Sequence, residues 1–219
     1  MIQVPFNRRK NLSPGTYQFR LVAWFALSAT VGILYFVVAV VALHVLRPEL
    51  NPVKHAVSNY AIGPFGFLMI SAFFGLALSA FALALGFARS LAPTRQARVS
   101  VLLLSLTGMG MAMTAIFPGD VTSAHPPGTT TALIHWLAAG TSFLSLMIAT
   151  FLLSSAYKTD IRWQSFHHLS LTFAVINVLA LAVFGVLTLA GWIGIGERIY
   201  LGTCMVWLLL ASVRLLLIG

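Results

Sequence analysis

Six apolar runs, each long enough to cross a bilayer as a helix, take up nearly all of this 219-residue chain: about 20–46, 64–88, 98–117, 130–155, 168–192 and 199–217. A helix rises about 1.5 Å per residue and the hydrocarbon layer is about 30 Å thick, so runs of roughly 18 or more residues with few charges are read as transmembrane spans. Lipid offers no partner to an unpaired N–H or C=O, which excludes open strands. The expected fold is therefore all-α, an integral membrane bundle of six transmembrane helices. With 59% of residues hydrophobic and 8% charged, no soluble domain is left over. Residues 1–19 are expected as a polar arm and 20–219 as one membrane domain.

The net charge of +9 would raise nucleic-acid binding in a soluble protein. Here the basic residues sit mostly at the ends of the runs, where they orient the chain. With six helices, Arg8, Arg9, Lys10, Arg20, Arg89, Arg95, Arg98, Lys158, Arg162 and Arg214 fall on one side, and only Arg47, Lys54 and Arg198 on the other. Ten against three follows the positive-inside rule, so both termini are expected in the cytoplasm. The expected setting is multi-pass in the cell (inner) membrane, with membrane lipids rather than nucleic acid as partners. The first run exceeds the usual apolar core of a signal peptide and lacks a clear small-residue cleavage site, so it is expected to stay as a helix. Cys204 is the one cysteine, which rules out an intramolecular disulfide.

The polar residues gather in the outer connections. His44 to Gly66 (HVLRPELNPVKHAVSNYAIGPFG) holds Arg47, Glu49, Lys54, His55, Ser58, Asn59 and Tyr60. Pro48 and Pro52 stop the first helix, and the mixture of polar and apolar residues fits a loop folded back on the bundle. The second outer connection carries Asp120, His125 and His135, with Thr129, Thr130 or Thr131 placed to cap helix 4. A third brings Glu197 and Arg198 to the start of helix 6. Along helix 2, Ser71, Gly75 and Ser79 recur every four residues and mark a close-packing face. Asn177, deep in an apolar run, is expected to hydrogen-bond a neighbouring helix.

Three kinds of site are compatible with these outer residues. His55, Asp120, His125 and His135 supply enough donors for a catalytic zinc, which takes three protein ligands and an open position. Ser58 or a metal-bound water would then attack an ester or amide, with His55 and Asp120 as the other catalytic candidates. Alternatively, Arg47 grips the anionic head group of a lipid or amphiphile, helped by Lys54, Arg198 and the histidines and bordered by Ser58 and Tyr60. The tail would then lie between helices lined by Gly75, Gly108 and Gly110. The third possibility is a structural network in which these groups satisfy one another. No HExxH, GxSxG, P-loop or dinucleotide fingerprint is present. Head-group binding is the expected function, and a zinc hydrolase is the alternative.

The segments HAVSNYAIGPFGFLM (55–69) and IFPGDVTSAHPPGTTTALIH (116–135) resemble a prokaryotic family of six-helix membrane proteins, domain of unknown function 998. Ser58, Tyr60, Gly63, Pro64 and Gly66 match its S-x-Y-x-x-G-P-x-G pattern; Phe117, Pro118, Asp120, His125 and His135 match an F-P-x-D followed by histidines. The resemblance implies the six-helix layout and the outer site but no activity. A looser likeness is to intramembrane metal hydrolases of the ceramidase and adiponectin-receptor type. Those have seven helices and a late H-x-x-x-H pair, and this chain has neither.

Overall fold

The computed structural model describes residues 14–120 and 128–218, with side chains from residue 19 onward. Six long helices follow in order: α1 (Pro14–Leu46), α2 (Gly66–Ser90), α3 (Arg95–Ile116), α4 (Thr130–Tyr157), α5 (Gln164–Leu189) and α6 (Ile193–Ile218). All six are long and apolar enough to cross a membrane. The shortest, α3, has 22 residues and spans about 33 Å. A short 3-10 turn, Val57–Ala61, interrupts the α1–α2 connection. Each helix packs on the next, and α6 returns to α1, so the six form a closed ring.

Helix ends follow local chemistry. Thr94 and Thr129 cap α3 and α4, their hydroxyls accepting from Ala97 N at 3.1 Å and Ala132 N at 3.2 Å. The α5–α6 turn closes on Gly191, whose φ of +79° lets Gly191 N reach Thr188 O and Trp192 N reach Leu187 O at 2.8 Å. That pair of bonds is a Schellman cap. Helix α6 then starts at Ile193, six residues before the expected 199, so Glu197 and Arg198 lie inside it. Likewise α1 starts at Pro14, within the expected arm.

Small residues set the seams. Ser71 bonds Tyr35 of α1 at 2.6 Å, and Ser79 Oγ donates toward Ala29 O of α1 at 3.0 Å. A Cβ on Gly32 would come within 2.5 Å of Gly75 O, so two helix backbones touch there. This is the face expected from the four-residue spacing. Gly108 lies against α2 (Ala77 O, Phe81) and Gly110 against α4 (Ala138 O, Ser142). Gly75, Gly108 and Gly110 therefore fill helix contacts, and the expected tail channel between them is not there. Asn177 is fully buried, yet neither amide atom has a protein partner among the described residues. The expected interhelical bond is not made among the described residues; α4 and α5 are bonded instead through Ser154 Oγ and Ser170 Oγ at 2.8 Å.

At the basic end, Arg162 forks onto Asp160 (Nη2–Oδ2 2.8 Å, Nε–Oδ1 3.1 Å) and also donates to Ser90 O. Arg214 donates to Arg162 O and to Ser165 Oγ. The Tyr157 and Trp163 rings stack at 4.7 Å beside Phe87. The Arg162 hydrogen bond holds the Asp160 carboxyl below its ordinary pKa.

Candidate functional site: a cavity between α4, α5 and α6

The opposite end is closed by the α1–α2 connection, and two arginines pin it down. Arg47 is buried and donates through Nη1 to Ile62 O (2.7 Å) and Pro64 O (2.9 Å), while its Nε pairs with Glu49. Gly63, at φ +81°, lets the chain turn over the guanidinium, 3.4 Å from where a Cβ would stand. The hydrogen bond from Arg47 lowers the pKa of the exposed Glu49. From α6, Arg198 Nη1 reaches Pro52 O, His55 O and Gly194 O at 2.8–2.9 Å. Its Nε donates to His44 Nε2 at 3.0 Å, and its Nη2 donates to Tyr60 Oη at 3.3 Å. Both guanidiniums thus satisfy backbone carbonyls that the turn leaves unpaired. The head-group-gripping role expected of Arg47 and Arg198 is not the arrangement found.

The other expected site residues divide in the same way. Tyr60 is fully buried beside His44, ring centres 5.4 Å apart. His55 is half-buried, with Nδ1 3.2 Å from Asn51 O. Asp120 closes its own loop, accepting from Gly128 N (2.8 Å) and Thr129 Oγ1 (2.9 Å), and its carbonyl accepts from Asn59 Nδ2. His125 lies outside the described residues. Among the described residues no three histidine, cysteine or acidic side chains stand together as metal ligands; of the four zinc candidates, this covers His55, Asp120 and His135. Lys54 is exposed at the loop surface.

Ser58 and His135 do meet in one place. They line a cavity of about 440 Å³ between α4, α5 and α6, together with Trp136, Phe143, Phe184 and Glu197. That volume falls in the usual range of small-molecule sites. His135 is nine-tenths buried, and its Nδ1 lies 2.8 Å from Phe117 O. A carbonyl only accepts, so Nδ1 carries the proton and Nε2 is the ring nitrogen left uncommitted by that bond. Glu197 is 8% exposed, and its Oε2 accepts from Val57 N. From His135 to Phe143 the site extends about 12 Å along α4, less than one leaflet of the hydrocarbon layer.

The cavity opens between α4 and α5, while Phe184 and Leu187 of α5 stay packed against Gly196 of α6. The buried residues of α5 run from Phe166 to Ala180, and none follows. Two glycines line the opening, Gly140 on α4 and Gly185 on α5, and a Cβ on either would meet nothing within 4 Å. Unlike Gly75 or Gly108, these glycines leave space rather than fill a contact. Sequence reasoning missed both, and it counted Glu197 among the outer polar groups without assigning it a site role. The signal was present in the spacing: residues four away from Gly140 are Trp136 and Leu144, and from Gly185 they are Leu181 and Leu189, all large.

The fold and site together define a multi-pass membrane protein whose polar loop end covers a cavity open between helices. The family described as "Protein of unknown function (DUF998)" matches residues 30–214, and the chain belongs to it. No curated protein and no solved structure matches the chain.

Proposed function

We propose that this protein binds a single amphiphile taken sideways from the outer leaflet of the cell membrane. The polar end would meet Ser58, His135 and Glu197, and the tail would lie along Ala139 and Leu181, between Gly140 and Gly185. The observation that carries this is the cavity of about 440 Å³ flanked by Gly140 and Gly185, where side-chain space stands unfilled beside the buried His135 and Glu197 and the half-buried Ser58. Walls that stand apart like this forfeit packing unless something occupies the space between them. The test is mass spectrometry of amphiphiles retained by purified protein. One species should be held stoichiometrically by the native chain and lost on Gly185→Phe; equal lipid content in both proteins would refute the proposal.

A hydrolase of a lipid ester or amide in the same place is the second reading. One observation favours it: a serine hydroxyl and an imidazole, the groups used as nucleophile and base, share the cavity wall. A zinc-dependent form would need His125 as a ligand beside His135. Turnover of a fluorogenic long-chain ester, abolished by Ser58→Ala and His135→Gln, would select this reading; no turnover above the buffer rate would remove it.

A further inference from the structure

Resting on the proposed amphiphile site, we infer that its ligand carries a positive charge: a long-chain ammonium, with the ammonium seated against Glu197 and the alkyl chain running between α4 and α5. The wall chemistry gives the sign. Among the described residues Glu197 is the one acid lining the cavity, and no lysine or arginine lines it. Its neighbour Arg198 is turned away to His44, Tyr60 and three carbonyls. Among the described residues the ion pairs are Arg47–Glu49 and Arg162–Asp160; Glu197 makes no salt bridge, and Arg198 acts on it only at a distance, through its charge. The hydrogen-bond donor to Glu197 among the described residues, the Val57 N–H, is neutral. A buried carboxylate in that position is costly until a cation comes to it.

A second, independent feature has the same preference. Trp136, Phe143 and Phe184 share the wall with Glu197, and Phe143 and Phe184 stand edge to face at 6.1 Å. The negative faces of aromatic rings attract ammonium groups, and aromatic walls of this kind recognise quaternary ammonium. An anionic head group would meet the carboxylate and the ring faces with the wrong sign. A primary ammonium would add hydrogen bonds to Glu197 and Ser58, whereas a quaternary one would rely on charge and the aromatic wall.

The test titrates purified full-length protein in an uncharged maltoside detergent with dodecylammonium, dodecyltrimethylammonium, monolauroylglycerol and dodecyl sulfate, read by calorimetry. At least one cation should bind tenfold to a hundredfold more tightly than the neutral probe, the range expected for a charge-assisted contact. Glu197→Gln keeps an acceptor for Val57 N and should bring the affinity for the cation down to that for the neutral probe. Tighter binding of dodecylammonium than of the quaternary probe would assign hydrogen bonding the larger share; the reverse order would assign it to the aromatic wall. Equal affinity for cation and neutral probe, a preference for dodecyl sulfate, or a preference that survives Glu197→Gln would overturn the inference while the cavity remained an amphiphile site. If no probe bound, or Gly185→Phe changed none of the affinities, the cavity reading itself would fail.

Discussion

Arg198 Nε donates to His44 Nε2 across 3.0 Å, while His44 Nδ1 lies 2.6 Å from Val40 O. The guanidinium only donates and the carbonyl only accepts, so the imidazole is neutral with its proton on Nδ1. This bond joins α6 to α1, where the ring of helices closes, and the same arginine holds the loop above it. Removing the arginine should therefore cost more than removing the histidine. Arg198→Ala is expected to lower stability by about 2 kcal/mol or more, since it strands several carbonyls, and His44→Ala by about 1 kcal/mol. Arg198→Lys should behave more like the alanine variant than like native protein, because a point charge cannot reproduce the fork. Thermal unfolding in detergent measures all three, and equal losses for Arg198→Ala and His44→Ala would contradict the clamp.

The glycines give a contrast of sign. Gly32→Val should prevent stable folding, because its side chain would enter the backbone contact with Gly75 and Ser79. Gly140→Ala should be neutral or stabilising by up to about 1 kcal/mol, since its Cβ meets nothing and alanine favours the helix. Unfolding temperatures of the two variants check this.

How legible all this was in the sequence depends on what each residue touches. The six spans and the Ser71–Gly75–Ser79 seam could be read because hydropathy and a four-residue spacing are local properties. The start of α6 could not. Gly194 and Gly196 look like loop breakers, but one permits the approach of His55 O and Arg198, and the other the approach of Phe184. Arg47 and Arg198 looked like anion ligands because a sequence does not show that proline-bent loops leave carbonyls needing donors. The cavity depends on where α4 and α5 stop touching each other, at Gly140 and Gly185, which no composition records.

At the other end, the sign of the Asp160 shift fixes a pH dependence. Its pKa is lowered in the folded chain, chiefly by the Arg162 hydrogen bond. Its contribution is therefore fully present above the unfolded carboxylate value, about pH 4, and is lost as pH falls through the lower folded value. Asp160→Asn should flatten this acid limb of stability, and denaturation followed from pH 6 to pH 3 would show it. An unchanged acid limb would remove Asp160 from the explanation.

The ten-to-three distribution of basic residues predicts an orientation with both termini in the cytoplasm. A membrane-impermeant maleimide applied to intact cells should label Lys54→Cys and leave Arg95→Cys unlabelled. Both positions are exposed, and the native Cys204 is buried. Labelling at 95 without labelling at 54 would invert the topology and place the cavity on the inner leaflet.

The most direct measurement is photolabelling of the protein in membranes with an alkyl probe carrying a diazirine on its chain, followed by peptide mapping. The cavity should concentrate the label on residues 136–143 and 181–188, and Gly140→Phe should remove that label while leaving lipid-facing positions such as Leu179 and Leu189 as before. Label spread evenly over the lipid-facing side of α5, and unchanged by Gly140→Phe, would contradict the claim that this protein holds an amphiphile between α4, α5 and α6.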